Sequence, residues 1–314
     1  MHLRNDRFKE AREKSWKRFG KGITFYLPGM FSYNGLKGKY PAVSITGSDC
    51  DLQCDHCQAT ILKPMISART SEALVEKARS LADKGNYGIL ISGGCDRDGR
   101  LPWDEVMPAI RKIKRETNLY VSVHSGLVDG PTALGLREAG VDQALIDVIG
   151  DDATFRRIYH VPFGVSRILE TMEALQRAGI PMIPHIVCGL HFGKIRGEER
   201  AIEMISRFDV AQVVIVALMT MPGTPLWGVE PPGAEEVAEI ILKARLGIPD
   251  APLSLGCARR RGDTLLEILA IDAGVNCMAL PSEEAVTHAG EYGMEIKYQM
   301  TCCSVAMDVS RNEW

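Results

Sequence analysis

The sequence predicts an α/β fold, a complete or near-complete (β/α)8 TIM-type barrel, on three observations. Short apolar runs of strand character alternate with amphipathic helical stretches at a spacing of roughly 30 residues, the size of one βα unit. Several helical stretches close on glycine, at Lys84-Gly85, Ala139-Gly140, Ala178-Gly179 and Ala273-Gly274, where a left-handed cap turns the chain back toward a strand. Polar and sulfur-bearing residues gather just after the strand-like runs, the end of a barrel strand where chemistry sits.

The elements follow in order. A first strand is read over 40–47. Helix 71–84 leads to strand 88–92, helix 103–117 to strand 119–124, and helix 132–139 to strand 143–148. Helix 165–178 precedes strand 181–188, helix 198–207 strand 212–218, helix 234–246 strand 253–256, and helix 263–273 strand 275–280. Eight such units place the barrel at 40–290. Residues 1–39 read as an N-terminal extension of a helix and a loop, and 291–314 as a tail containing Cys302-Cys303.

A chain of 314 residues suits one such barrel. Hydrophobic residues at 46% and charged residues at 25% describe a globular, soluble protein. The net charge of −3 predicts no nucleic-acid partner. The basic runs Arg259-Arg260-Arg261 and 12–21 are broken by acids or apolar neighbours. No apolar run reaches membrane-spanning length. The charged, helical start of the chain is unlike a signal peptide. Nine cysteines without a secretory signal then point to a reducing cytoplasm and to metal chemistry over disulfides.

The densest signal is Cys50-Asp51-Leu52-Gln53-Cys54-Asp55-His56-Cys57, directly after the first strand. A zinc site would use the Cys54/Cys57 pair, but no second ligand pair follows at regular spacing. Three thiolates on one loop can instead hold three irons of a [4Fe–4S] cluster and leave the fourth open. This C-x3-C-x2-C spacing and its position resemble the radical S-adenosylmethionine (radical SAM) superfamily. The resemblance implies that Cys50, Cys54 and Cys57 bind the cluster. It also implies that the open iron chelates S-adenosylmethionine, whose cleavage releases a 5′-deoxyadenosyl radical.

Ser92-Gly93-Gly94-Cys95 is similar to the Gly-Gly-Glu turn whose backbone binds the amino group of S-adenosylmethionine in that superfamily, with Cys95 in place of the acid. The later segments resemble biotin synthase. Leu145-Ile146-Asp147-Val148 implies ribose binding by Asp147. Gly223-Thr224-Pro225-Leu226 matches after strand six and implies cofactor contacts from Met221 and Gly223. Leu253-Ser254-Leu255-Gly256-Cys257-Ala258-Arg259 resembles a segment that brings an arginine to an auxiliary cluster, and Ala273-Gly274-Val275-Asn276 matches before strand eight. Two departures argue against a [2Fe–2S] cluster of the biotin synthase kind. Strand three reads Val123-His124-Ser125, without a cysteine, and the family's strand-five cysteine aligns nearer Ile183 than Cys188.

The remaining thiols divide between buried hydrophobes and ligands. Cys277, inside strand eight, reads as the former. Cys95, Cys188, Cys257, Cys302 and Cys303 are the candidates for a second iron–sulfur cluster, completed if the tail folds over the barrel mouth. Cys257, Arg259 and His124 are candidate catalytic residues. His185 reads as an interior-facing or core histidine and His191 as a loop residue. The phrases Leu255–Arg259, Leu280-Pro281-Ser282-Glu283-Glu284 and Thr301-Cys302-Cys303-Ser304 together resemble one subunit of the two-component lipoyl synthase. That resemblance implies sulfur insertion into a protein-bound octanoyl chain, a second radical SAM subunit, and an electron donor such as ferredoxin or flavodoxin. Met219, Met221 and Leu226 are candidate acyl contacts. Other radical SAM chemistry (cofactor maturation or methylation) and a non-catalytic iron–sulfur carrier are the competing readings.

Overall fold

The computed structural model describes residues 2–33 and 35–310. Helix α1 (His2–Phe19) leads into strand β1 (Gly22–Tyr26), and a small hairpin, β2 (Ser32–Tyr33) with β3 (Leu36–Lys37), follows. The barrel proper runs β4 (Ala42–Ser44), β5 (Ile66–Ser67), α2 (Ser71–Asp83), β6 (Gly88–Ser92), α3 (Trp103–Glu116), β7 (Tyr120–His124), α4 (Gly130–Ala139), β8 (Gln143–Asp147). It continues α5 (Asp152–Tyr159), α6 (Ser166–Ala178), β9 (Met182–Cys188), α7 (Glu198–Ile205), β10 (Val213–Ala217), α8 (Ala234–Gly247), β11 (Leu253–Leu255), α9 (Thr264–Asp272), β12 (Cys277–Ala279), α10 (Glu283–Glu291) and β13 (Glu295–Gln299).

All eight expected βα strands are present and parallel. Their helices begin and end where the sequence signals them. Asp129 Oδ1 caps α4 by accepting from Thr132 N at 3.0 Å. Gly140 and Gly179 terminate α4 and α6 with φ of +93° and +70°.

The sheet is TIM-type but curls without closing. Its order is β13-β1-β12-β11-β10-β9-β8-β7-β6-β4-β5. β12 pairs with β1, not with β4, so the ring is split between the first and eighth barrel strands. The sheet thus reaches outside residues 40–290 on both sides. β1 comes from the expected extension and β13 from the expected tail, and the two pair in register from Gly22↔Glu295 to Tyr26↔Gln299. Both are short and adjoin charged segments, which hid them in the sequence. Helices α5 and α10 were also unexpected, although Asp151 and Ser282 cap them at 2.7 and 3.2 Å.

Side chains alternate along each strand between two apolar layers. One set packs outward beneath the helices: Val121, Val123, Ala144, Ile146, Ile186 and Cys188 among others. The other faces the barrel interior, where Leu145, Ile183, Val214, Val216 and Ala279 form a separate cluster.

Candidate functional site

The loop from β4 to β5 carries Cys50, Cys54 and Cys57. Thr46 Oγ1 fastens it to the next strand end, donating to Asp49 O at 2.9 Å and accepting from Gly94 N at 2.7 Å. Asp51 N donates to Cys95 O at 2.8 Å. The loop winds tightly about Cys54, whose carbonyl accepts from Cys57 N and Gln58 N at 3.0 and 2.9 Å. Gln53, Gln58 and Ala59 take φ of +46°, +40° and +58° to do so, strain of a kind that collects at functional loops. Gly94 is required here, because a Cβ would strike Asp49 O and the Cys50 side chain.

The same end of the barrel holds Ser92, Gly93 and Asp147. Asp147 ends β8 with its carboxylate 3.5 Å from His124 Nε2 at the end of β7. Burial alone would raise Asp147, but the charge and hydrogen bond of His124 outweigh it and hold the carboxyl down at about 2. Burial likewise opposes protonation of His124, and Asp147 outweighs it, so His124 is raised. His185, whose ring centroid is 6.3 Å from that of His124, is pushed down to about 4, chiefly by burial. One interior row therefore contains an ionised aspartate, a histidine raised by it and a histidine held down by burial.

Below this row lies a second group of thiols. The tail does not fold over the barrel mouth. It enters the interior, correcting that expectation. Gln143 Nε2 donates to Ser304 O at 2.5 Å, and Gln212 Nε2 and Ser254 Oγ donate to Cys303 O at 2.7 and 3.2 Å. These three polar residues on different strands select the inserted backbone, because its buried carbonyls need donors. Cys257, Cys302 and Cys303 cluster with the interior apolar residues. The neighbouring Cys303 thiol outweighs burial and lowers Cys302, with Ser304 Oγ 3.1 Å from its sulfur.

Other candidates part company with this group. Cys188 points outward into the layer under the helices and is fully buried there, so strand alternation removes it from the interior. Cys95 sits instead on the turn after β6, its carbonyl accepting from Asp51 N at 2.8 Å and its sulfur directed toward Gly126. Arg259 is not in the site. Its guanidinium is buried against Glu267 at 2.6 Å and the carbonyls of Gly256 and Ala279 at 2.7 and 2.8 Å. Arg261 is the arginine that approaches the thiols, and its NH2 donates to Cys257 O at 2.8 Å. Cys277 is buried and bonds Tyr26 Oη at 3.8 Å. His191 sits in a loop against Thr154 Oγ1 at 2.9 Å. Met219 and Gly223 are exposed, Met221 is half-buried, and Leu226 is buried with its N–H on Asp55 O at 3.2 Å.

Two polar groups that the sequence did not single out face the cysteine loop. His56 Nδ1 and Tyr159 Oη are buried without a hydrogen-bond partner, and their rings meet at 5.2 Å. His56 was legible as the aromatic residue between the last two cysteines. Tyr159 depended on α5.

Residues 44–199 match the radical SAM superfamily. This stretch forms a radical SAM domain. Biotin synthase of Geobacter sulfurreducens is 28% identical over 217 residues, 68% of this chain and 63% of that protein. The enzyme of the same name from Halorhodospira halophila is 26% identical over 253 residues, 76% and 74% of the two chains. The matched stretch thus spans under two thirds of the Geobacter protein. Methylornithine synthase shares the fold with a TM-score of 0.64 at 18% identity, over 92% of this chain and 88% of that one. The [FeFe]-hydrogenase maturase of Carboxydothermus hydrogenoformans does so at 0.63 and 15%, over 92% and 71%.

The radical SAM domain implies a [4Fe–4S] cluster and S-adenosylmethionine, and the residues present fit both. The orphaned His56 Nδ1 and Tyr159 Oη call for a bound group, since buried polar atoms are normally satisfied. Burial pushes Cys57 up to about 11 and Cys54 higher. Thiols of that kind lose their protons to a bound cation. Among the described residues no three Cys, His, Asp or Glu side chains converge on a single metal ion. A zinc tetrahedron would hold its sulfurs about 3.8 Å apart, from Zn–S bonds of about 2.3 Å, whereas an iron–sulfur cluster distributes its thiolates over separate irons.

Proposed function

We propose that the chain is a radical SAM enzyme that inserts sulfur into an unactivated carbon of a protein-bound acyl chain, taken as octanoyl on a lipoyl carrier domain. One observation supports this reading: Cys50, Cys54 and Cys57 lie on the loop at the barrel's mouth, and Cys257, Cys302 and Cys303 form a second thiol group inside, with the row of Asp147, His124 and His185 between them. Cleavage of a sulfonium by a cluster-borne electron supplies the carbon radical that unactivated C–H bonds require. The protein's own residues do the rest. Thr46 and Gly94 hold the cysteine loop against the second strand end. Asp147, kept ionised by His124, accepts the hydroxyls of a ribose. Leu145, Ile183, Val214 and Val216 keep water from this part of the interior. Cys257, Cys302 and Cys303 hold a second iron–sulfur cluster as the sulfur source.

A second radical SAM subunit and a ferredoxin or flavodoxin complete the proposed system. The test is an octanoylated lipoyl-domain peptide incubated anaerobically with the reconstituted protein, alone and with candidate partner subunits. The peptide should gain mass in sulfur increments as 5′-deoxyadenosine forms. Variants Cys257→Ala, Cys302→Ala and Cys303→Ala together should keep 5′-deoxyadenosine formation, lose iron and lose sulfur transfer. Turnover to 5′-deoxyadenosine without sulfur on the peptide in any pairing rejects sulfur insertion in favour of cofactor maturation or methylation.

A further inference from the structure

A cavity of about 690 Å³ opens where the loops after β1, β11 and β12 meet α10 and β13. Leu27, Phe31, Tyr33, Leu280, Val286 and Tyr298 supply most of its apolar lining. Val286 and Tyr298 pack on the outer apolar layer, so the cavity lies outside the ring of strands and apart from the thiols within it. Its wall is held rigidly. Leu280 takes a φ of +49°, a strained conformation for a bulky residue and one that collects at ligand clamps. The Arg259 guanidinium donates to Leu280 O at 3.2 Å, and Glu267 Oε2 accepts from Ser282 N at 2.7 Å. The buried ion pair of Arg259 and Glu267 therefore clamps both ends of the turn that forms the wall. Such a pair adds little stability of its own. Here it fixes the shape of the cavity before any ligand arrives.

Arg261 lines the same cavity. Its guanidinium lies over the Phe31 ring, 4.9 Å from the centroid, and donates to Cys257 O at 2.8 Å. A guanidinium carries five donors, in a fork that matches a carboxylate. Two acids also border the cavity. Glu267 is neutralised by Arg259, whereas Glu283 is exposed on α10 and repels a dianion more than a monoanion. The walls thus suit a hydrocarbon body, and the charges suit a head with a single negative charge. The volume falls in the range of small-molecule sites. We propose that this cavity is a second binding site, for an amphipathic carboxylic acid. Its carboxylate pairs with Arg261, and its body lies against Phe31, Tyr298 and Val286.

The site is independent of the radical chemistry, and its occupancy is read directly. The full chain is titrated with decanoate, decanol and decyl phosphate by isothermal calorimetry, below their micellar and solubility limits. Decanoate should bind, and decanol should bind about tenfold more weakly for want of a charge-assisted hydrogen bond. Decyl phosphate should also bind more weakly than decanoate, and Glu283→Gln should narrow that gap. Arg261→Gln should weaken decanoate about tenfold and leave decanol unchanged. Val286→Phe and Val286→Trp fill the cavity in two steps and should weaken all three ligands progressively, at unchanged secondary structure by circular dichroism. Absence of decanoate binding overturns the proposal, and so does equal binding of decanol. Decanoate affinity unchanged in both Val286 variants overturns it too, since the acid would then sit elsewhere, as in the barrel interior.

Discussion

His160 Nε2 donates to Asp55 Oδ1 across 2.8 Å, helping to fasten the end of α5 to the cysteine loop. Asp55 is buried and makes two further ties, its N–H to Ile158 O at 2.9 Å and its carbonyl to Leu226 N at 3.2 Å. A single residue between Cys54 and Cys57 thereby cross-links the loops after β4, β8 and β10. Asp55→Ala should cost about 2 kcal/mol, the scale of a hydrogen bond to a charged group. It should also lower iron retention after reconstitution, whereas Asp55→Asn should retain most of both. Thermal unfolding of the apoprotein and iron analysis give the two readings.

Acid should weaken the protein in two separable steps. His185, held down at about 4 against an unfolded value near 6.5, stabilises the fold above pH 6.5, and that contribution is lost as pH falls through 4. Asp147, held at about 2 against about 3.9 unfolded, stabilises the fold above that value and loses its contribution as pH falls through 2. The raised His124 works oppositely. Its contribution is present below pH 6.5 and disappears as pH rises through its folded value. His185→Gln should flatten the urea-midpoint profile between pH 6.5 and 4 and leave the steeper fall below 4 in place.

Tyr159→Phe should separate the apoprotein from the loaded one. Deleting a buried hydroxyl that has no partner should leave apoprotein stability unchanged or raise it by up to about 1 kcal/mol. Cofactor affinity should fall about fivefold, the value of one hydrogen bond of about 1 kcal/mol. Equal affinity in the variant would show that the hydroxyl does not serve the bound group.

Arg259→Met should damage the fold and spare the chemistry. It leaves Glu267 buried and uncompensated, at a cost of about 3–5 kcal/mol. Adding Glu267→Leu should recover much of the lost melting temperature. Recovered double variant should then bind iron as the wild type does, which an arginine ligand would forbid.

The cysteine loop and the eight βα units were legible in the sequence, because each depends on local spacing along one element. A C-x3-C-x2-C loop carries its ligand geometry within eight residues, and a strand's period of two decides which side chains share a face. What only the tertiary structure decided were pairings across long separations. β1 and β13 join the sheet through each other and β12, so neither announces itself alone. The tail enters the barrel because Gln143, Gln212 and Ser254, on three different strands, meet its carbonyls. Arg259 and Arg261 are two residues apart on an irregular turn, and only packing against Glu267 decides which guanidinium is buried in the wall and which reaches Cys257. Sequence periodicity places a side chain relative to its own element, and desolvation with its demand for partners places elements relative to one another.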